Sequence, residues 1–487
     1  MAHPPQKPSV RLLIVGAGAA GRALVEQMRR EPELGLEPLG FVDDDPALIG
    51  TTVEGLPVVD DTRHLVQAAD RLAVQEILIA IPSARGSVIR RLILLCKRAG
   101  LPFRIVPGLR AIIDGDVRFN QVRSVAPEDL LGRETVRFQV EAARAVVAGK
   151  SVMVTGAGGS IGGELCRQLI TLEPAELLLL GRGENSIFEI MGELNGVASG
   201  TALVPLIADV RDAERLDVLA RRHRPQLILH AAAHKHVPLM EAHPEEAVQV
   251  NAGGTANLIA FARTVAAERF VLISTDKAAV PSSIMGATKK LAELLVRHAQ
   301  GGPGTTRFMT VRFGNVLGSR GSVVPFFLKR IAAGKPLPVT HPEMTRYFMT
   351  IREAALLVIE AMVLGEAGAT YILDMGEPVP IMELARNLLV LSGHDPDHGP
   401  GIEIVGVRPG EKLHESLLDP EEQLEDSGID LIHKARCRVG DPARTAAALP
   451  DLLGLARAGD RDALRRRLSS LLERPALCEP PAAPERR

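Results

Sequence analysis

Ser151-Val152-Met153-Val154-Thr155-Gly156-Ala157-Gly158-Gly159-Ser160-Ile161-Gly162 is an apolar run that passes straight into a glycine-rich turn and then into an amphipathic pattern ending near Leu169. A strand that stops at closely spaced glycines and opens a helix lets the backbone approach a pyrophosphate, at a helix N-terminus whose unpaired N–H groups favour an anion. The same design occurs once before, as Val10 to Val15, then Gly16-Ala17-Gly18-Ala19-Ala20-Gly21, then a helical pattern through Met28. Apolar runs alternate with helical patterns after each loop. They are Pro38 to Val42, Glu76 to Ile81 and Phe103 to Val106 in the first half, and Glu176 to Leu180, Ala202 to Ile207, Gln226 to His230, Phe270 to Ser274 and Phe308 to Phe313 in the second. This alternation predicts an α/β protein with two tandem Rossmann-like, doubly wound parallel sheets. Residues 1–126 are expected to form a nucleotide-binding-type domain and 127–150 a helical linker. Residues 151–473 are expected to form a second domain whose smaller substrate-binding part starts near 314. The Pro-, Ala-, Glu- and Arg-rich end, 474–487, reads as a disordered tail.

Composition narrows the function. At about 150 residues per domain, 487 residues hold two large α/β domains or three smaller ones. With 46% apolar and 24% charged residues, neither a disordered nor a fibrous chain fits. The 57 Lys and Arg against 59 Asp and Glu leave a net charge of −2, so no global basic field exists to recruit nucleic acid or an anionic membrane. Cys96, Cys166, Cys437 and Cys478 are scattered without a CxxC pair, which suits reduced thiols in the cytoplasm. No stretch approaches the roughly 18 to 20 apolar residues of a spanning helix. The residues from Met1 to Ser9 hold no signal-peptide core, so neither membrane insertion nor export is expected.

The first loop has the GxGxxG spacing, and Asp43 follows at the distance of about 20 residues where an acid meets an adenosine ribose. Two readings stay open. The domain binds a nucleotide of unknown identity, or its glycines serve only close helix–strand packing and Asp43-Asp44-Asp45-Pro46 is an exposed turn.

The second loop is more specific, because TGxxGxxG over Thr155 to Gly162 is the spacing of extended short-chain dehydrogenases. The loop residues Thr155, Gly156, Gly158, Gly159, Ser160, Ile161 and Gly162 are therefore candidate cofactor contacts. Leu180-Gly181-Arg182-Gly183 follows the next strand with no acid to grip a ribose 2′-hydroxyl, and space plus an arginine suits a 2′-phosphate. This favours NADP over NAD; the alternative is an Arg182 that covers an adenine face or points to solvent. Asp209 and Val210 are placed to touch the adenine edge, and the small Ala231 and Ala232 would let a cofactor lie close to the sheet.

Short-chain dehydrogenases usually carry Tyr and Lys four apart on one helix face, where the lysine lowers the phenol pKa and binds the nicotinamide ribose. Neither Tyr347 nor Tyr371 has a lysine at that spacing. The expected place instead reads Met285-Gly286-Ala287-Thr288-Lys289, with the lysine kept and an inert methionine where the base would be. Just upstream, Thr275-Asp276-Lys277 sets a hydroxyl, an acid and an amine in consecutive positions at the end of a strand, the edge where open α/β sheets bind ligands.

Five motifs carry a resemblance: Thr275-Asp276-Lys277-Ala278, Met285 to Lys289, Lys235-His236-Val237-Pro238-Leu239-Met240-Glu241, Arg312 to Ser319 (RFGNVLGS), and Arg408-Pro409-Gly410-Glu411-Lys412. Taken in their order along the chain, these motifs resemble those of the CapD-like UDP-N-acetylglucosamine 4,6-dehydratases of polysaccharide biosynthesis, and the resemblance runs from about Val10 to Leu418 and through Glu128-Asp129-Leu130-Leu131-Gly132-Arg133. Many of those relatives carry membrane helices ahead of the first domain, whereas this chain starts almost at its first strand. The resemblance implies a tightly bound, recycled NADP or NAD that takes hydride from sugar C4 and returns it to C6, while the C5 proton and the C6 hydroxyl leave between the two steps. It implies Asp276 as the acid at O6, Lys277 as the base at C5, and Thr275 as the hydrogen-bond partner of the C4 oxygen. Lys289 and Met285 complete the catalytic set. Such roles require burial to outweigh the mutual attraction of Asp276 and Lys277. Relatives with methionine at this position retain configuration at C5, so retention is implied here.

The candidates to hold a UDP-sugar are Arg346, Arg408 and Lys412, whose cationic side chains match diphosphate oxygens, with Asn315 as a diphosphate or sugar contact and Lys235 reaching the sugar. The expected partners are UDP-N-acetylglucosamine and further copies of the chain. His230, His234, His236 and His243 lack a cysteine or a spaced carboxylate to complete a tetrahedral site, so no metal is expected. Two other readings remain: a UDP-sugar epimerase, which would need an acid–base residue at 285, and an inactive NADP-binding scaffold.

Overall fold

The computed structural model describes residues 9–84, 86–106, 122–123, 125–131, 138–197, 200–395, 399–436, 440–474 and 477. Apart from Arg474 and Leu477, the expected tail lies outside the described residues, as do Cys437, Cys478, Gly132 and Arg133. Cys96 and Cys166 are buried free thiols. Among the described residues, no helix is long and apolar enough to cross a membrane.

The chain packs as two compact units. Residues 1–135, 326–339 and 381–403 form one, and 136–325, 340–380 and 404–487 form the other. The sequence placed everything after 314 with the second sheet, and the packing differs there. Helix Ile381–Leu391 buries Leu384, Leu388 and Leu389 within the first unit, where Glu383 also takes a salt bridge from Arg90 at 2.7 Å. Periodicity marks that helix as amphipathic but does not say which core its apolar face covers.

In the first unit, β1 (Val10–Val15), β2 (Leu36–Val42), β3 (Thr52–Val53), β4 (Leu56–Asp60), β5 (Glu76–Ile79) and β6 (Phe103–Ile105) form a sheet ordered β3-β4-β2-β1-β5-β6. All its pairings are parallel except the β3–β4 hairpin at the edge. Leu12, Ile14, Leu24, Phe41 and Val58 are fully buried in its core. Gly16 has a φ of +101° and a Cβ there would lie 2.9 Å from Ala80 O, so only glycine fits this turn.

The second unit is a nine-stranded sheet. Its strands are β7 (Ser151–Thr155), β8 (Glu176–Gly181), β9 (Ala202–Ile207), β10 (Leu227–His230), β11 (Arg269–Ile273), β12 (Arg307–Arg312), β13 (Thr370–Leu373), β14 (Gln423–Ile429) and β15 (Ile432–Arg436). Their order is β14-β15-β13-β12-β11-β10-β7-β8-β9. The run from β9 to β13 is parallel, and β15 and β14 add an antiparallel edge. The direction of winding reverses between β7 and β10, and in such sheets ligands bind outside the strand C-termini at that crevice. Strand residues such as Val152, Leu178, Leu229 and Val271 are completely buried, as expected for strands covered on both faces. The predicted doubly wound α/β class is the class observed in both units.

Candidate active site

The helix that follows β11, α1 (Ile284–Gln300), is fixed at its first turn from three directions. Ser283 caps it by accepting the Gly286 N–H at 3.1 Å, and Glu241 Oε1 accepts the Ile284 N–H at 2.6 Å. Gly286 packs so tightly on the Lys277 carbonyl that a Cβ would collide with it. Glu241 is held in turn by Arg465 at 2.9 Å. Glycine at 286 and the acid at 241 thereby set the spacing between the helix carrying Met285 and Lys289 and the turn carrying Asp276 and Lys277.

That turn opens on Thr275, whose Oγ1 accepts the Lys277 N–H at 3.4 Å and donates to Asp276 Oδ1 at 2.8 Å. Lys277 Nζ donates to Asp276 Oδ1 at 3.0 Å and to Asn315 Oδ1 at 3.1 Å, and pairs with Glu415 Oε1 at 3.5 Å. Asp276 is fully buried, and its second oxygen, Oδ2, has no hydrogen-bond partner. Gly314 lies beside it, where a Cβ would come within 3.3 Å of Oδ2 and 2.9 Å of Tyr347 Cβ. The sequence required burial to overcome the attraction between acid and amine, and the structure shows the opposite. Burial works against the Lys277 charge, but the Asp276 and Glu415 carboxylates outweigh it and hold the amine above its ordinary lysine pKa.

Lys289 is buried, and Nζ donates to the Ile273 carbonyl at 2.7 Å, two residues before Thr275. Burial pushes its pKa down to about 8 against the opposing pull of Glu293. Met285 is buried among apolar residues that include Phe270 and Leu272. Asn251, which the sequence did not single out, sits in a π-helical turn and ties these parts together: its Oδ1 accepts the His234 N–H at 2.8 Å and its Nδ2 donates to Thr288 Oγ1 at 3.0 Å. Such turns cluster at functional sites, but no local sequence signal marks this one.

The second glycine loop fits a dinucleotide. A Cβ on Gly156 would lie 2.8 Å from the Ala232 N, and one on Gly162 would run into Gly156 O, so the strand, loop and following helix (Ser160–Ile170) pack at backbone contact. Gly159 provides no side-chain cap, which leaves the N–H groups around Ser160 and Ile161 for an anion. Gly158 lies over Ser186, and Ser160 Oγ accepts the Arg320 N–H at 3.0 Å. Thr155 Oγ1 faces His230 Nδ1 at 2.8 Å across the β7–β10 pair and reaches the Ala232 N–H at 3.3 Å; Ala231 is half-buried beside them. Arg182 is 60% exposed and 4.0 Å from Asp209 Oδ2. Asp209 is gripped by Arg211 at 2.9 Å, and the Val210 carbonyl accepts from Asn257 at 3.0 Å, so both positions are already tied into the protein.

The substrate candidates divide. Asn315, Arg346 and Lys412 gather around Lys277. Arg346 is buried and donates to the Thr345 and Leu413 carbonyls at 2.7 and 3.1 Å, and Lys412 donates to the Val280 carbonyl. Burial lowers the Lys412 pKa. Lys235 donates to the Arg320 carbonyl at 2.8 Å, toward the glycine loop, and Arg408 is exposed. The four histidines do not converge: His230 is enclosed by Thr155 and Thr255, His234 faces Glu246, His236 lies beside Gly321 and His243 faces Glu245. Among the described residues the one group with metal-ligand spacing is Asp60, Asp61 and His64 in the first unit, where Arg63 occupies Asp61.

Residues 152–436 match the family described as "Polysaccharide biosynthesis protein". The chain belongs to that family. Residues 6–107 match a second family, described as "CoA-binding domain". The chain is 46% identical to the "Probable polysaccharide biosynthesis protein EpsC" of Bacillus subtilis over 89% of its own length and 72% of that protein's. It is 34% identical to a "UDP-N-acetylglucosamine 4,6-dehydratase (inverting)" of Campylobacter jejuni, over 56% of this chain and 79% of that one. Among solved structures, Pen from Bacillus thuringiensis superposes with a TM-score of 0.55 at 32% identity, covering 59% of this chain and 89% of that chain.

Proposed function

We propose that the protein converts UDP-N-acetylglucosamine to a UDP-4-keto-6-deoxy-N-acetylhexosamine with C5 configuration retained. The observation that carries this reading is the hydrogen-bonded acid and amine, Asp276 and Lys277, at the C-terminal edge of the sheet, with Asn315 completing their network. When bound, NAD(P) would accept hydride from sugar C4 and return it to C6. Residues Gly156 to Gly162, Arg182 and Lys289 would hold that cofactor, with NADP preferred through Arg182.

The resting ion pair reaches the required states without an outside proton. One proton passes from Lys277 Nζ to Asp276 Oδ1 over their 3.0 Å hydrogen bond, giving a neutral amine and a neutral acid. Lys277 then takes the C5 proton as Asp276 gives its own to the departing O6, which leaves as water. Lys277 returns a proton to C5 when hydride reaches C6. The proton that the C4 hydroxyl sheds on oxidation, passed through Thr275 or a water to Lys289, whose pKa burial lowers to about 8, then restores the ion pair. Thr275, which donates to Asp276, would turn its hydroxyl to the C4 oxygen, and Arg346 and Lys412 would supply positive charge for the diphosphate. Met285 counts against an epimerase, which needs a proton carrier there.

Incubation with UDP-N-acetylglucosamine followed by mass spectrometry tests the reading. Loss of one water supports it. An unchanged mass with altered stereochemistry would establish an epimerase, and an unchanged sugar a non-catalytic binding protein.

A further inference from the structure

Glu415 lies three residues beyond the Arg408 to Lys412 motif, and its burial has no role in the proton transfers just described. Its side chain is 4% exposed, and Oε2 has no hydrogen-bond partner. An isolated carboxylate is not kept in such a place without a cation. The nearest is Lys277 Nζ, 3.5 Å from Oε1; Lys412 Nζ stands further off, 3.9 Å from Oε2, and donates instead to the Val280 carbonyl. Lys277 Nζ therefore meets acceptors from three separate segments: Asp276 on its own turn, Asn315 on the strand after β12, and Glu415 on the loop before β14.

We propose that Glu415 is the positioning residue for Lys277, holding its amine in line and stabilising the positive charge that returns to it when it takes a proton. The inference rests on the dehydratase reading for the identity of that proton, the one on C5. The part of Glu415 follows from the demands on Asp276: while Asp276 still carries the proton meant for O6 it is neutral, so as Lys277 takes the C5 proton Glu415 is the carboxylate facing the ammonium that forms. The charged groups around the amine are Asp276 and Glu415 in favour of its charge, with Arg346 and the more distant Lys412 against. In the substrate-free protein the carboxylates prevail, and Lys277 titrates above the ordinary lysine range.

The test measures Lys277 directly, in the full-length protein. Competitive acylation with acetic anhydride across a pH series, read by peptide mass spectrometry, gives the midpoint at which the Lys277 amine becomes reactive; its side chain is 19% exposed. Glu415→Gln should move that midpoint down by about one pH unit or more, the usual effect of removing an opposite charge at this range. Glu415→Asp, which keeps the charge, should stay close to the parent. With UDP-N-acetylglucosamine, Glu415→Gln should lower kcat by at least about tenfold with little change in KM, and Glu415→Asp should recover part of it. An unchanged midpoint in Glu415→Gln overturns the proposal whatever the activity. A parent enzyme that releases no water overturns the dehydratase reading instead, while a shifted midpoint still establishes that Glu415 governs Lys277.

Discussion

Arg312 and Glu422 meet at 2.6 Å with both side chains fully buried, one at the end of β12 and the other just before β14. The same guanidinium takes Glu293 of α1 at 2.7 Å, and Glu293 accepts from Ser274 Oγ at 2.6 Å, next to Thr275. Burial would raise the Glu422 pKa, but Arg312 with Lys290 pushes it down to about 2. A strand end, the helix carrying Met285 and Lys289, and the turn carrying Asp276 thus share one buried ionic knot. Arg312→Met strands two carboxylates in the interior and should cost about 3 to 5 kcal/mol of unfolding free energy, measured by urea titration. A loss below about 1 kcal/mol would mean that the knot is readily solvated.

Asp276→Asn and Lys277→Ala should each lower dehydration by on the order of 10² to 10⁴ fold. Calorimetry should find UDP-sugar and NADP binding nearly intact, because the proton transfers at C6 and C5 are separate from the phosphate contacts. Turnover within a few-fold of the parent in both variants removes the assignment.

Cofactor choice is expected to rest on Arg182, the exposed arginine beside Gly181. Arg182→Ala should weaken NADP more than NAD in paired calorimetric titrations. Equal weakening of both would show that this side chain does not read the 2′-phosphate.

With methionine at 285, no phenol can replace the Thr275 hydroxyl at the C4 oxygen. Thr275→Val should therefore be severely impaired alone, and Met285→Tyr added to it should restore part of the first step, seen as a 340 nm absorbance burst. A fully active Thr275→Val, or NMR showing the parent's product inverted at C5, contradicts this account of the site and leaves the dehydratase reading standing.

His230 gives the protein an acid-sensitive point. Burial first, and then the Lys289 charge, push its pKa down from 6.5 to about 3. Between pH 6.5 and 3 the unfolded chain binds a proton at this histidine and the folded one does not, so stability falls as pH falls through that window, by at most about 1.4 kcal/mol per pH unit. His230→Gln should unfold with a shallower dependence on pH between 6 and 4 in chemical denaturation series; a parallel dependence would mean that the folded protein admits the proton.

The two glycine-loop units, the parallel winding of both sheets and the position of Thr275-Asp276-Lys277 and Lys289 at the strand end and following helix were legible in the chain. These depend on local patterns: continuous apolar runs for strands buried on both faces, helices of period 3.6, and glycines where backbones touch. Met285 was legible for the same reason, as an apolar residue at a fixed spacing from a lysine. The tertiary structure alone decided which distant groups those residues face. Glu415, Asn251, Glu241 and the Arg312 knot all lie far along the chain from the parts they hold, and a buried carboxylate reads in sequence like an exposed one. The ionisation of Lys277 turned on the same point, since burial and attraction oppose each other and only the positions of Asp276 and Glu415 settle which prevails. Helix Ile381–Leu391 joined the first unit because Leu384, Leu388 and Arg90–Glu383 bind it there, and an amphipathic pattern says that a helix has an apolar face without saying what covers it.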